Sequence, residues 1–105
     1  MIPKPGETWF VDFGLAAKPR WAFVVAYAPD ARLAVASVVK ITTEYAGTPY
    51  EITLPRVPWL RVQSYINAQS VQPVRFSELT RTAPGQFDAR VLADVRAVLK
   101  RWLQV

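Results

Sequence analysis

Trp21–Tyr27, WAFVVAY, is the stretch that decides the fold. It is apolar at odd and even positions alike, so a strand here carries apolar side chains on both faces. Seven residues are far too few to span a bilayer, which needs about twenty as a helix. The segment therefore reads as the central strand of a small sheet, covered on each side. The neighbouring stretches supply partners. Leu33–Thr42 is a long β-branched run in which Val35, Ser37, Val39 and Ile41 alternate with Ala36, Val38, Lys40 and Thr42. Pro29 and Asp30 mark the turn between these two runs. Upstream, Thr8–Phe13 alternates, with Trp9, Val11 and Phe13 on one face and Thr8, Phe10 and Asp12 on the other. Pro3, Pro5 and Gly6 form an opening turn, and Gly14–Pro19 connects to the central strand. Tyr50, Ile52 and Leu54 form a short strand ended by Pro55 and Pro58. Ala68–Val74 is read as a further strand, with Pro73 at a sheet edge.

The last element has the other period. After Asp88, a candidate N-cap, the residues Val91, Leu92, Val95, Val98, Leu99 and Trp102 recur at helical spacing. Lys100 and Arg101 lie at the negative end of the helix dipole. One amphipathic helix must lay its stripe on the strands, as nothing else is present to cover it. The expected architecture is a single domain over residues 1–105, mainly β (β+α): a small SH3-like β-barrel closed by a C-terminal helix.

Composition narrows the chemistry. The chain has 105 residues, 51% of them hydrophobic, with no cysteine, no histidine and a net charge of +5. Without histidine or cysteine, Ser-His-Asp and Cys-His catalysis are excluded, and a transition-metal site is not expected. No cofactor is expected either. Residues 1–82 carry nine bases and six acids and residues 83–105 carry four and two, so the positive charge is spread and no polybasic tail exists. Met1–Glu7 has two prolines and no apolar core of a signal peptide, and the lack of cysteine fits a reducing compartment. A soluble cytoplasmic protein with no membrane association is expected.

Any catalysis must therefore use Arg, Lys, Asp, Glu, Thr, Ser or Tyr. Arg20 opens the central strand, and Thr42 and Thr43 end the next one beside Lys40 and Glu44. If these strands pair antiparallel, Arg20 and Thr42 share one rim of the barrel. An Arg fork and a hydroxyl on one rim suit a phosphate. They equally suit an ordinary strand end and strand terminus. Trp59 lies between Arg56 and Arg61, an arrangement that can stack on an unpaired nucleobase and that also serves to plug a barrel mouth. Tyr65 and Asn67 can read base edges or make turn contacts.

Several segments, in order along nearly the whole chain, resemble the MazF/PemK toxins. PKPGETWFVDFG (Pro3–Gly14) resembles their opening, and KPRWAFVVA (Lys18–Ala26) their second strand. VVKITTEYAGTPYEI (Val38–Ile52) is similar to the next strand, its threonine and the loop beyond. INAQSVQPVRFSEL (Ile66–Leu79) resembles the later strands, and VLADVRAVLKRWL the closing helix. The resemblance implies a homodimeric, metal-independent endoribonuclease that cleaves single-stranded RNA as the toxin of a type II toxin-antitoxin system, restrained by a cognate antitoxin protein. It implies that Arg20 and Thr42 are catalytic, with Thr43, Glu44 and Arg75 as supporting candidates. In the implied reaction the RNA 2′-hydroxyl attacks phosphorus, Arg20 stabilises the phosphorane and protonates the leaving oxygen, and Thr42 donates to a non-bridging oxygen. The candidate RNA contacts are Lys18, Lys40, Arg56 and Trp59, together with Arg61, Asn67 and Gln69. Three departures stand out. The loop before Arg20 is reduced to GLAAK and lacks the family's acid, which leaves Glu44 as the candidate base. Trp21 replaces a proline, and VQPVR (Val71–Arg75) replaces the usual Asp-Gln segment. Two other readings share the barrel: a non-catalytic module binding nucleic acid or protein, and a gyrase-directed toxin of the CcdB kind.

Overall fold

The computed structural model of the protein describes residues 2–28, 30 and 32–105. It contains seven strands: β1 (Thr8–Val11), β2 (Arg20–Tyr27), β3 (Val35–Thr42), β4 (Glu51–Thr53), β5 (Tyr65–Asn67), β6 (Gln72–Arg75) and β7 (Leu79–Thr82). One helix, α1 (Ala89–Leu103), closes the chain. Every pairing is antiparallel, in the order β4-β5-β3-β2-β1-β7, with β6 also on β3.

Five of these strands make the barrel. Along β6-β3-β2-β1-β7 the two outermost strands are joined by a three-residue 3-10 turn, Phe76–Glu78, so the chain itself brings the ends of the sheet round. One apolar cluster then draws on all five: Trp9 and Val11, Ala22 and Val24, Ala36 and Val38, Val74, and Leu79. The odd-numbered residues of β2 point the other way. Phe23 and Val25 join Val39 and Ile41 in an outer cluster with Leu54, Ile66 and Phe87, under Val91, Val95 and Leu99 of α1. Val24 and Phe23 are 0% and 1% exposed, so the central strand is buried on both faces, as its sequence requires. The fold is the expected small β-barrel with a C-terminal helix.

The helix forms as its sequence dictates. Asp88 caps it, its side chain accepting from the Arg90 amide at 2.9 Å. The stripe buries Val91, Val95 and Leu99, while Trp102 at its end stays part-exposed and packs edge-on against Tyr50.

Two expectations need correction, and two features are unannounced by the sequence. The run Ala68–Val74 is not one strand: Ala68–Ser70 is a 3-10 turn, and β6 begins at Gln72. Asn67 accepts from the Gln69 amide at 3.0 Å and Ser70 Oγ accepts from the Lys40 amide at 2.9 Å, side-chain bonds that compete with a ladder. Pro73 does lie on an edge, opposite Ser37. Thr8 does not face water. It pairs with Phe23 and is 1% exposed beneath the opening segment, whose Gly6 amide donates to Val24 O at 2.8 Å. The opening strand stops at Val11 rather than Phe13. The barrel also has a strand, β7, that no alternation announces. Of the turn between β2 and β3, Pro29 lies outside the described residues; Asp30 O accepts from the Leu33 and Ala34 amides.

The double burial of β2 bears on assembly. Val24 and Ala26 facing opposite to Phe23 and Val25, with Phe10 on the face of Thr8 and Asp12, suggest from sequence that a second copy covers one side. Within one chain, the barrel interior covers Val24 and the helix side covers Val25, so these residues require no partner.

Candidate active site

The inner rows of β2 and β3 run Val24–Ala22 and Ala36–Val38, and both are apolar inside the barrel. With period two, the next positions on the same face are Arg20 on β2 and Lys40 and Thr42 on β3. The barrel's apolar interior thus turns polar at one mouth. Ala22 is paired with Lys40, and continuing that register by two sets Arg20 across from Thr42. β5 and β4 extend the same surface. Tyr65 is opposite Thr42 and Glu51 opposite Asn67, while Ile66 and Ile52 point to the helix side.

Two polar clefts, of about 370 and 210 Å³, meet here and share Arg20, Thr42 and Glu44. The first adds Lys18 and Thr43; the second adds Lys40, Asn67, Ser70 and Glu51. The sequence reading brought Arg20 and Thr42 to one rim, and the structure places them there.

The polar atoms have distinct states. Arg20 Nε is buried and has no hydrogen-bond partner within the chain. A buried N–H without an acceptor costs roughly 1–3 kcal/mol. Thr42 Oγ1 accepts from the Glu44 amide at 3.1 Å, which leaves its own proton free to donate. Lys40 Nζ stands 4.8 Å from the Phe13 ring centre, a cation–π contact. Glu44 is exposed. Glu51, which the sequence did not single out, is bound to its own loop: Oε2 accepts from the Ala46 amide at 2.8 Å and Oε1 from the Thr48 amide at 2.6 Å. These bonds, that from Ala46 foremost, hold its carboxyl below the usual carboxylate range. It clasps the turn at Ala46–Thr48. Among the described residues no three Asp or Glu side chains gather where they could hold a metal ion.

The remaining candidates lie elsewhere. Arg75 pairs with Val35, at the far end of β3 from Thr42. Seven residues of strand separate them, roughly 23 Å at about 3.3 Å per residue, so within one chain Arg75 is not part of this cleft. Trp59 packs on the helix side, between Trp21 (centroids 5.8 Å apart) and Phe87 (5.2 Å). It helps plug that face of the barrel, half-buried, with its remaining surface lining a groove beside Pro58, Pro84 and Gln86. Arg56 and Arg61 are exposed beside it, and the Arg56 guanidinium donates to Arg61 O at 3.0 Å. Gln69 is exposed in the 3-10 turn and lines neither polar cleft. A separate apolar groove, lined by Val25, Ala26, Leu99 and Leu103 and edged by Arg96 and Lys100, lies along the helix away from this chemistry.

No protein-family model matches the chain, and no curated protein matches it in sequence. Solved structures do. MazF from Deinococcus radiodurans superposes with a TM-score of 0.82 at 23% identity, over 100% of this chain and 99% of the other. The chain has the MazF fold. A MazE–MazF complex from the same organism matches with a TM-score of 0.78 at 25% identity, over 100% and 99% of the two chains. A mycobacterial endoribonuclease in complex with its cognate antitoxin matches at 0.77 and 20%, over 98% and 96%. The match to the MazF fold thus runs over the length of the chain. No helix among the described residues is long and apolar enough to cross a membrane.

Proposed function

We propose that this chain is the toxin of a toxin–antitoxin pair, an endoribonuclease that cleaves single-stranded RNA without a metal or cofactor and acts in the cytoplasm. The observation that carries the reading is the pairing, at one polar mouth of a MazF fold, of Thr42 with an Arg20 whose buried Nε–H has no partner in the chain. The cleft that Arg20 and Thr42 share has room for a phosphate, whose oxygens the guanidinium fork and the hydroxyl would bind.

The ribose 2′-oxygen attacks the adjacent phosphorus and the bond to the 5′-oxygen breaks, leaving a 2′,3′-cyclic phosphate and a 5′-hydroxyl. Arg20 spreads its donors over the phosphorane and gives a proton to the leaving 5′-oxygen, and the Thr42 hydroxyl donates a hydrogen bond to a non-bridging oxygen while keeping its proton. Glu44 is the cleft carboxylate left to take the 2′-hydroxyl proton, since Glu51 is engaged by Ala46 and Thr48. Lys18 and Lys40 attract the flanking phosphates. The packing of Trp59 between Trp21 and Phe87, away from the cleft of Arg20 and Thr42, argues against the loop Arg56–Arg61 as a contact for the base beside the scissile phosphate. The cognate antitoxin is the expected protein partner, by analogy with the complexes that share this fold.

Because no histidine, cysteine or metal takes part in these steps, cleavage of single-stranded RNA by the purified protein should proceed at the same rate in excess EDTA. Activity that appears only on adding Mg²⁺ or Mn²⁺ would sink the mechanism. Binding of RNA without cleavage would favour the non-catalytic module, and gyrase-dependent DNA damage the CcdB-like toxin.

We also propose a homodimer. The double burial of β2 no longer supports it; the apolar groove along α1, with Leu103 54% exposed, does. Light scattering at micromolar concentration should give twice the chain mass of 11.8 kDa. A monomer mass there counts against it.

A further inference from the structure

Tyr45 is the most exposed aromatic side chain among the described residues, at 63%. It is not on a loose loop. The Glu44 amide donates to Thr42 Oγ1 at 3.1 Å, and the Ala46 amide donates to Glu51 Oε2 at 2.8 Å. The residues on either side of Tyr45 are therefore tied to strand side chains that line the polar cleft. The Thr48 amide, at 2.6 Å from Glu51 Oε1, secures the turn beyond. Gly47, at φ +76°, supplies the left-handed backbone that this turn needs, in van der Waals reach of the Tyr45 ring. From behind, the Tyr45 ring meets Tyr65 with centroids 5.1 Å apart and planes tilted by 41°. Tyr65 is the direct cross-strand neighbour of Thr42.

We propose that Tyr45, backed by Tyr65, is a stacking platform for the nucleobase next to the scissile phosphate. The inference rests on the reading that a phosphate of single-stranded RNA occupies the cleft of Arg20 and Thr42. A nucleotide held there by its phosphate carries its base past the flank of Thr42, where an aromatic face is already fixed in water. A large apolar face kept exposed forgoes burial, and a face already held in place loses little freedom when a base covers it. Stacking accepts any base because each has a π-face. This subsite therefore strengthens and orients binding, and sequence choice falls to hydrogen-bonding groups such as Asn67, whose Oδ1 is engaged by Gln69.

The test uses a fluorescein-labelled RNA oligonucleotide spanning a site located by sequencing cleaved RNA ends, with a 2′-deoxy sugar at the scissile nucleotide to block reaction. Fluorescence anisotropy gives its Kd for the full chain. Tyr45→Ala should weaken binding roughly five- to a hundredfold, the measured range for one stacked base, and Tyr45→Phe should stay within about twofold. Replacing the nucleotides one at a time by abasic residues should show one position, beside the scissile phosphate, where the unmutated protein loses that same factor and Tyr45→Ala loses nothing further. If Tyr45→Ala binds as tightly as the unmutated protein, or Tyr45→Phe falls as far as Tyr45→Ala, the platform is wrong while the nuclease reading stands. If the losses from Tyr45→Ala and every abasic position simply add, Tyr45 contacts no base and the platform is again wrong. If the unmutated protein cleaves no RNA, both fall together.

Discussion

Arg20→Ala should lower RNA cleavage by ~10²–10³-fold, or roughly 3–4 kcal/mol of transition-state stabilisation, and abolish growth inhibition on induction. Arg20→Lys should restore little, because an ammonium supplies a point charge where the guanidinium supplies a planar fork. At the facing position, Thr42→Ser keeps the donor and should keep most of the activity, while Thr42→Val keeps the shape and should lose it. Folding should scarcely change. Arg20 Nε is buried with no partner, so deleting the side chain removes an unsatisfied donor rather than a bond, and the melting temperature should hold or rise slightly. Cleavage assays and thermal melting on each variant separate the outcomes. A well-folded Arg20→Ala that remains fully toxic contradicts the site. An unfolded Arg20→Ala would make the residue structural.

The opposite pattern is expected at Phe23. Its ring is 1% exposed in the middle of β2, on the helix side, 6.2 Å from the Phe87 ring and within the cluster that receives Val91, Val95 and Leu99. Truncation there removes an aromatic from the point where sheet, helix and the approach to the helix meet. Phe23→Ala should cost about 3–5 kcal/mol, a large share of the roughly 5–15 kcal/mol by which such a domain is stable. Thermal melting should show a fall on the order of ten degrees or more, with activity lost through unfolding. A melting temperature within two or three degrees of the unmutated chain would mean that the outer cluster does not hold the helix to the barrel.

What the sequence could and could not show follows from how each element is specified. Trp21–Tyr27 is apolar on both faces and could only be a central strand; Asp88 and the spacing from Val91 to Trp102 could only be a capped helix. β7 was hidden because a strand of Leu79, Thr80, Arg81 and Thr82 buries one side chain and exposes three, too little alternation to register. The break at Ala68–Ser70 was hidden because it rests on Asn67 and Ser70 bonding to the backbone, and Ser70 meets an amide thirty residues away. At the site, Arg20 and Thr42 were legible because antiparallel pairing follows from a short turn, which sets the start of one strand beside the end of the next. Glu51 was not, because it reaches the cleft only through β4–β5 pairing, and β5 lay in a stretch with no clear period. Arg75 and Trp59 are placed away from this cleft within one chain, Trp59 in the barrel-plugging position that its sequence also allows. A motif position and a flanking charge pattern nominated them, yet β3 holds Arg75 at its far end and Trp21 and Phe87 take up the Trp59 ring.

Cleavage at this polar mouth through the ribose 2′-hydroxyl makes the reaction depend on a single oxygen of the substrate. The most direct measurement incubates the purified protein with two single-stranded oligonucleotides of one sequence, identical except for a 2′-deoxy sugar at the scissile nucleotide, and weighs the products by mass spectrometry. The all-ribose strand should yield a 2′,3′-cyclic phosphate and a 5′-hydroxyl fragment, and the 2′-deoxy strand should remain whole. Cleavage of the 2′-deoxy strand at that bond, or no cleavage of either, would contradict the account.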